Sequence, residues 1–277
     1  MGTKAKFWYR NPASPDARWL FKYPQPNTGQ HWAEKVASEV ADLLDIPHAR
    51  VELAICEGQR GSASESFAHH RQDLIHGNQL LTGVVHQYDP LRKFHQSSHT
   101  ITNIWSALDL IFADPGARRQ ARLLMAEYLV LDALIGNTDR HHENWGILIE
   151  LQPNHWRVHV APSFDHASSL GRELRGERQD RLLAANRVGD YVERGHGAIF
   201  WSEDEHRGPS PLQLVRLAVG AYADVFRPAL RKVVRLDRRA VRNAVDRVPN
   251  DWMSSSARRF AIELMSYTIS EMKELAR

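Results

Sequence analysis

Cysteine is almost missing from this sequence, because the chain holds only Cys56. A single thiol excludes an intramolecular disulfide and any zinc site built from several cysteines. A chain of 277 residues can bury enough apolar surface to fold without such a staple, as one large domain or as two smaller ones. We expect Cys56 to be a small buried side chain, because it follows the apolar run Val51 to Ile55.

Long apolar runs are missing too. No stretch approaches the roughly 20 apolar residues that cross a bilayer, and the N-terminal segment MGTKAKFWYR lacks the apolar core of a secretory signal. Lys6 stands where a myristoylation signal has Ser or Thr. These absences predict a cytoplasmic protein with no membrane partner.

A large excess of charge is the third absence, since the net charge is only +3. That value is too small to dictate a polyanionic partner. The densest basic run extends from Arg227 to Arg247, where apolar residues interrupt the arginines at near-helical spacing. The pattern predicts an amphipathic helix with a solvated basic face, and we do not expect nucleic acid as a direct ligand. The apolar positions are Val233, Val234, Leu236, Val241 and Val245.

The hydrophobic pattern, which shows no internal repeat, divides the chain into two parts. In the first part, KFWYR and RWLFKY flank the turn segment NPASPDA and predict a hairpin that ends near Lys22. The helical pattern HWAEKVASEVADLLDI follows, and VELAIC, GSASESF and DLIHGNQLL are predicted as further strands, the last broken by a turn at Gly77 and Asn78. From about residue 100 the pattern is mainly helical, apart from a predicted hairpin formed by WGILIE and HWRVHV.

The most informative segments are LIGNTDRHHENWGIL and, further along, APSFDHASSLG. Asp139, Asn144 and Asp165 follow the order of base, metal-binding amide and metal-binding carboxylate used in protein-kinase-type phosphoryl transfer. Asp139 would orient the acceptor hydroxyl and take its proton, while Asn144 and Asp165 would supply oxygen ligands to Mg²⁺. His141 would hydrogen-bond the metal-binding carboxylate or the loop backbone, whereas His142 is expected to be solvent-exposed.

Phosphoryl transfer from ATP also needs a cation on the phosphates that are not transferred. Lys22, near the end of its predicted strand, can reach the α and β phosphates, but a flexible lysine needs an anionic partner to hold it. Glu34, early in the helix that follows, is the best candidate, and Glu39 is the alternative.

Two other interpretations stay open at this point. The histidine-rich segments are compatible with a metal-dependent phosphohydrolase that uses Asp139, His141, His142, Asp165 and His166 as ligands. In the plainest interpretation, Asp139 lies in a turn that ends a helix and Asp165 caps a strand.

The segment GNTDRHHEN resembles the catalytic loop of the HipA-like family, usually of the form Asn-x-Asp-x-His-x-Lys-Asn. HipA-like proteins are serine/threonine kinases with a protein-kinase-related fold and kinship to the phosphatidylinositol kinases. On that match Asn137, Asp139, His141 and Asn144 take the family's loop positions, and Asp165 matches its metal-binding aspartate. WLFKYP and AEKVASEVADLLDIP resemble the strand with the ATP lysine and the helix with its glutamate partner.

The resemblance implies an α+β, two-lobed, protein-kinase-like fold. The N-lobe, residues 1–80, would be a small antiparallel sheet with one helix, and the C-lobe, residues 81–277, would be larger and mainly helical. DLIHGNQLL would be the inter-lobe hinge, which places the backbone of Ile75, His76 and Gly77 near adenine. The implied function is transfer of the γ-phosphate of ATP, with magnesium, to a serine or threonine of a protein substrate. An antitoxin or another regulatory protein is the implied partner.

This sequence departs from the family at two places. Glu143 replaces the usual lysine of the loop, and NPASPDA contains no glycine-rich phosphate cradle before Lys22. The missing cradle favours the alternative of a nucleotide-binding pseudokinase or regulatory module. The family's autophosphorylation site would map at most onto Ser14, and the serines between Ser62 and Ser66 are further candidates.

Overall fold

The computed structural model describes residues 5–11, 14–69 and 71–277, which form two antiparallel sheets and a large set of helices. The strands are β1 (Lys6–Asn11), β2 (Ser14–Lys22), β3 (Val51–Cys56), β4 (Gln59–Glu65), β5 (Gln72–His76), β6 (Gly146–Leu151) and β7 (Trp156–Val160). The helices are α1 (Gln30–Leu43), α2 (Gly77–Thr82), α3 (Ile101–Ile111), α4 (Pro115–Ile135), α5 (Gly176–Ala184), α6 (Val188–Glu193), α7 (Pro211–Ala221), α8 (Ala223–Val233), α9 (Arg238–Asp246) and α10 (Ser255–Leu275).

The first sheet has the strand order β1-β2-β4-β3, and the predicted hairpin is its β1-β2 pair. The turn expected inside NPASPDA falls on residues 12 and 13, which lie outside the described residues. Lys22 is the last residue of β2 and pairs in register with Ser62 of β4. Directly opposed residues of an antiparallel pair share one face of the sheet. Helix α1 packs against this sheet, with Val36 and Val40 fully buried, so its polar Glu34 can approach Lys22.

The second sheet joins the predicted hairpin to the segment DLIHGNQLL, in the order β5-β6-β7. The strand predicted throughout that segment is wrong beyond His76, because Gly77 begins α2 instead of a turn. The side chain of Gln79 accepts a hydrogen bond of 3.0 Å from the His76 backbone and thereby closes the first turn of the helix. A Cβ on Gly77 would lie 2.2 Å from the Trp145 ring, so glycine permits close packing at this point.

Helix α4 is the central element of the helical part and packs against α7, α8 and α10. Asp114 caps its first turn by accepting a 2.8 Å hydrogen bond from Ala117 N. Gly136 ends it with a φ of 65°, in the left-handed region that favours glycine. Helix α4 is buried over its last three turns, so packing fixes the position of its C-terminal end. That end determines where residues 137–144, the candidate catalytic loop, begin.

The basic run from Arg227 to Arg247 forms two helices, α8 and α9, and the single amphipathic helix predicted for it is wrong. Asp237 accepts a 2.7 Å hydrogen bond from Ala240 N and so starts a new helix within the run. Val233 and Val241 are fully buried on either side of the break, as the apolar spacing predicted.

Cys56 was expected to be a buried side chain. Cys56 is half-buried at the end of β3, an outer strand of the first sheet, so its predicted burial is incomplete.

Across the described ranges, none of the helices combines the length and the apolar composition needed to span a bilayer.

Candidate active site

The loop after α4 is held by a buried ion pair between Asp132 and Arg140. Arg140 donates from Nε to Asp132 Oδ2 and from Nη2 to Asp132 Oδ1, both at 2.7 Å. Asn137 Nδ2 also donates to Asp132 Oδ1 at 2.7 Å. Burial opposes ionisation of Arg140, but the charge of Asp132 outweighs it and raises the pKa of the guanidinium. The last turn of α4 therefore anchors both ends of the tight bend that carries Asp139.

Arg140 also connects this loop to the segment that carries Asp165. Its Nη1 donates to the carbonyl oxygen of Asn144 at 2.7 Å and to that of Phe164 at 3.2 Å. Its Nη2 donates to Ser163 Oγ at 3.0 Å. One side chain thus fixes the backbone beside the two candidate metal ligands.

Asp139 and Asn144 contact each other through the loop. Asn144 Nδ2 donates a 2.6 Å hydrogen bond to the carbonyl oxygen of Asp139, so Oδ1 is the amide atom that a metal could take. Ser168 Oγ donates to Asp139 Oδ2 at 3.3 Å and accepts from Arg172 Nη2 at 3.2 Å. Sequence reasoning missed Ser168 and Arg172, although both lie in the same ASSLGR stretch that follows Asp165.

Lys22 lies where the first sheet meets the rest of the site. Its Nζ donates to Glu34 Oε1 at 2.7 Å and to Asp165 Oδ1 at 3.3 Å. Burial alone would lower the pKa of Lys22, but the charges of Asp165 and Glu34 raise it above its ordinary value. The lysine therefore stays charged, and it connects α1 to Asp165.

Glu34 is the ion-pair partner, and the alternative partner Glu39 instead contacts Lys35 at 2.7 Å. Ser62 Oγ donates to the second oxygen of Glu34 at 2.7 Å. Both Ser62 and Ser64 are buried in β4. The expectation that serines of this stretch are surface phosphorylation sites is therefore wrong for these two.

The predicted hinge residues line up at the end of β5. His76 Nδ1 donates to the carbonyl oxygen of Glu143 at 2.8 Å, and Gly77 N donates to that of Trp145 at 2.8 Å. The Gly77 amide thus already donates its hydrogen bond to another residue of the chain. The His76 ring lies edge-on to Phe164 at 6.1 Å, so an aromatic surface lies beside the Asp165 segment.

The remaining histidines do not converge on one metal site. His142 was expected at the surface, yet it is buried, with Nδ1 2.6 Å from Tyr88 Oη, and burial lowers its pKa to about 4. His166 Nε2 contacts Ser163 Oγ at 2.7 Å, and Nδ1 of His141 accepts from the Glu143 amide at 3.2 Å. Within the described part of the chain, no three His, Cys, Asp or Glu side chains are grouped to hold a metal. The phosphohydrolase interpretation therefore lacks its ligand set.

The oxygen donors of the site fit a hard divalent cation. Asn144 supplies a neutral amide oxygen, and Asp165 supplies a carboxylate in a left-handed backbone conformation, with φ of 59°. Magnesium prefers such oxygen ligands and needs only one or two from the protein when substrate phosphates supply others. Asn144 and Asp165 are accordingly the residues that would hold it.

Comparisons with known proteins point to one family and one fold. A sequence model described as the HipA-like C-terminal domain matches residues 1–251. No curated protein matches. The structure is similar to that of the Helicobacter pylori proinflammatory kinase CtkA, with a TM-score of 0.79 and 18% identity, covering 99% of this chain and 92% of that chain.

A second similar structure is HipA of Shewanella oneidensis MR-1, solved in a toxin–antitoxin complex with HipB and operator DNA. Its TM-score is 0.65 at 12% identity, and the match covers 99% of this chain and 64% of that chain. Identities this low show a shared fold. The two structural matches confirm the predicted α+β, kinase-like architecture.

The Asp132–Arg140 pair generates a stability prediction. Asp132→Ala leaves a buried guanidinium without its carboxylate, and we expect a loss of ~3–5 kcal/mol in the free energy of unfolding, measured with urea. Glu263→Ala, which breaks the exposed pair with Arg238, is the matched control and should cost less than ~1 kcal/mol. Equal losses for the two variants would contradict the anchoring role of Asp132.

Proposed function

Since this chain belongs to the HipA-like C-terminal domain family, we propose that it is a kinase that transfers the γ-phosphate of ATP to a serine or threonine of a protein. The observation that carries the proposal is the convergence of Lys22, Glu34 and Asp165. These residues come from strand β2, from helix α1 and from the segment that follows β7. Kinase chemistry needs a held cation beside a metal-binding carboxylate, and these three residues supply both.

Lys22 is suited to bind phosphate in exchange for one of its present contacts. The bond to Glu34 is short and buried, whereas the contact with Asp165 is longer, at 3.3 Å. A phosphate oxygen can replace the Asp165 contact while Glu34 keeps the ammonium group in place. Magnesium, held by Asn144 and Asp165, would neutralise charge on the phosphates.

Asp139 would act on the acceptor. As the acceptor oxygen forms its bond to the γ-phosphorus, the bond from that phosphorus to the bridging oxygen breaks and ADP leaves with the electron pair. The hydroxyl proton goes to the carboxylate of Asp139. Ser168 fixes the rotamer of that carboxylate through its bond to Oδ2, and Arg172 holds Ser168, so both are positioning residues.

A regulatory module that binds nucleotide without transfer is the second candidate. Glu143 replaces the family's loop lysine and forms an ion pair with Lys93, so the charge of this part of the loop differs from that of the parent family. Such a module would act through a protein partner of the antitoxin kind. Elution of the chain as a lone monomer after co-expression with a candidate antitoxin would count against that partner.

The proposed base predicts loss of transfer with retention of nucleotide. In Asp139→Ala, we expect phosphate transfer from labelled ATP, to the chain itself or to a lysate protein, to fall by ~10²-fold or more. The dissociation constant for ATP should stay within ~3-fold, because Asp139 does not hold Lys22. Transfer that persists in this variant contradicts the assignment, and ATP binding without transfer in the wild-type chain favours the regulatory module.

The ion pair between Glu34 and Lys22 predicts a change in ATP affinity. Glu34→Gln keeps the size of the side chain but removes the charge that holds Lys22, and we expect ATP binding, measured by calorimetry, to weaken ~10-fold. Glu39→Gln, on the same helix and paired with Lys35, is the control and should bind ATP normally. Unchanged affinity in Glu34→Gln would remove Glu34 from the nucleotide site.

The bond from Ser168 to Asp139 predicts a separation of kcat from KM. Ser168→Ala should lower kcat ~10-fold and leave the KM for ATP within ~2-fold, because only the orientation of the Asp139 carboxylate is affected. Ser168→Thr retains a hydroxyl and should recover most of the lost rate. A merely structural role would instead shift both constants or fail to show rescue by threonine.

A further inference from the structure

A groove of about 1020 Å³ opens beside Asp139, on the side lined by the helical part of the chain. Asp139 and Ser168 are among its lining residues, and helices α5 and α6 and the segment from residue 194 to 212 form much of the rest. This volume is at the upper end of small-ligand sites. A groove of that size that is lined in part by the proposed base has room for the residues that flank an acceptor hydroxyl.

The lining of this groove carries an excess of positive charge, because five arginines face three carboxylates. The three carboxylates belong to Asp139, Asp190 and Glu173. Asp190 Oδ2 accepts a 2.7 Å bond from Arg187, and Glu173 Oε1 accepts a 2.6 Å bond from Tyr191 Oη. With Asp190 paired to Arg187, four arginines remain against Asp139 and Glu173, so the lining keeps an excess of positive charge.

Three of these arginines, Arg178, Arg194 and Arg207, are exposed and converge on the groove from different segments. In the described residues, none of the three guanidinium groups forms an ion pair or hydrogen bond with another part of the chain. Exposed arginines without partners also occur on α9, so exposure alone carries no inference. The significant feature is that these three share one cavity with Asp139.

We propose that this groove binds the acceptor protein through an acidic segment next to the hydroxyl that is phosphorylated, an inference that rests on the proposed kinase function. Guanidinium groups bind carboxylates through paired, charge-assisted hydrogen bonds, and three of them from separate segments recognise a spaced set of acidic side chains. Phe94, a residue that is 62% exposed, also lines the groove and offers an apolar surface to the peptide.

The distribution of charge favours an acidic peptide over a nucleic acid. Glu173 and Asp190 also line the groove, and a phosphate backbone, charged at every unit, cannot keep its charges away from these carboxylates as freely as a peptide can. Acidic side chains of a peptide can alternate with neutral ones and avoid them. The densest basic run of the sequence lies on α8 and α9, outside the groove lining.

The test compares two synthetic peptides, each with one central serine, flanked by glutamates in one and by lysines in the other. Peptide binding is measured by fluorescence anisotropy and phosphate transfer with labelled ATP, on wild-type protein and on the triple variant R178E/R194E/R207E. The control R235E/R239E/R242E has the same change of net charge on exposed arginines outside the groove. ATP binding by each variant reports whether the nucleotide site is intact.

We expect the wild-type chain and the control to bind the glutamate peptide ~10-fold or more tightly than the lysine peptide, with the preference weakening at high salt. The groove variant should lose or reverse this preference and still bind ATP. Equal binding of the two peptides, an equal effect of both triple variants, or tighter binding of single-stranded RNA through the groove arginines overturns the proposal.

The result also separates this inference from the proposed function. Selective binding of the glutamate peptide without transfer of phosphate supports the acidic-segment site and counts against the kinase. Transfer to serine with no preference between the peptides supports the kinase and overturns the acidic-segment site.

Discussion

The geometry of the site depends on one buried ion pair, that of Asp132 with Arg140. The carboxylate lies in the last turn of α4, and the guanidinium lies in the middle of the candidate catalytic loop. Because a buried charge without its partner is costly, the loop cannot move away from the helix without a large loss of stability. The same guanidinium bonds the backbone of Asn144 and Phe164, so the constraint extends to both candidate metal ligands.

A second constraint joins the sheet of the first part to this anchored loop. Lys22 is fixed by Glu34 on one side and on the other contacts Asp165, which lies 143 positions further along the chain. The pair of Glu34 with Ser62 adds a bond from β4, directly opposite Lys22 in the sheet register. The position of the ammonium group is therefore set by backbone pairing and by helix packing, and little is left to side-chain flexibility.

The sequence predicted where the candidate site residues lie in the fold when their placement depends on order and spacing. Lys22 at a strand end, Glu34 early in the next helix and the Asp139–Asn144 spacing are local patterns, and the structure places them as their order implied. Other features depend on contacts between distant residues. The burial of His142 needs Tyr88, and the bond from Ser168 to Asp139 needs a loop that returns over the site. No periodicity in the sequence reports such contacts.

Two wrong predictions share a cause, because capping interactions overrode the apolar pattern. Gln79 closes the first turn of α2 where a strand was expected, and Asp237 starts α9 inside a run that looked like one helix. The valines on both sides of the second break are buried all the same, so apolar spacing predicted the core while capping set the helix ends.

The charges around Asp139 have a consequence for the acceptor. Asp139 and Asp165 are acidic side chains, and the buried cation Arg140 is engaged by Asp132 and by two backbone carbonyl groups, so it offers little to an incoming anion. An acidic acceptor segment would be repelled at the reacting centre unless a positive surface held it to one side. The arginines of the groove lie on such a side, in the same cavity as Asp139 but on helices and loops that do not hold Lys22. In the proposed kinase, separate sets of cations would bind the phosphate and the acceptor, and only the hydroxyl would have to reach the point between them.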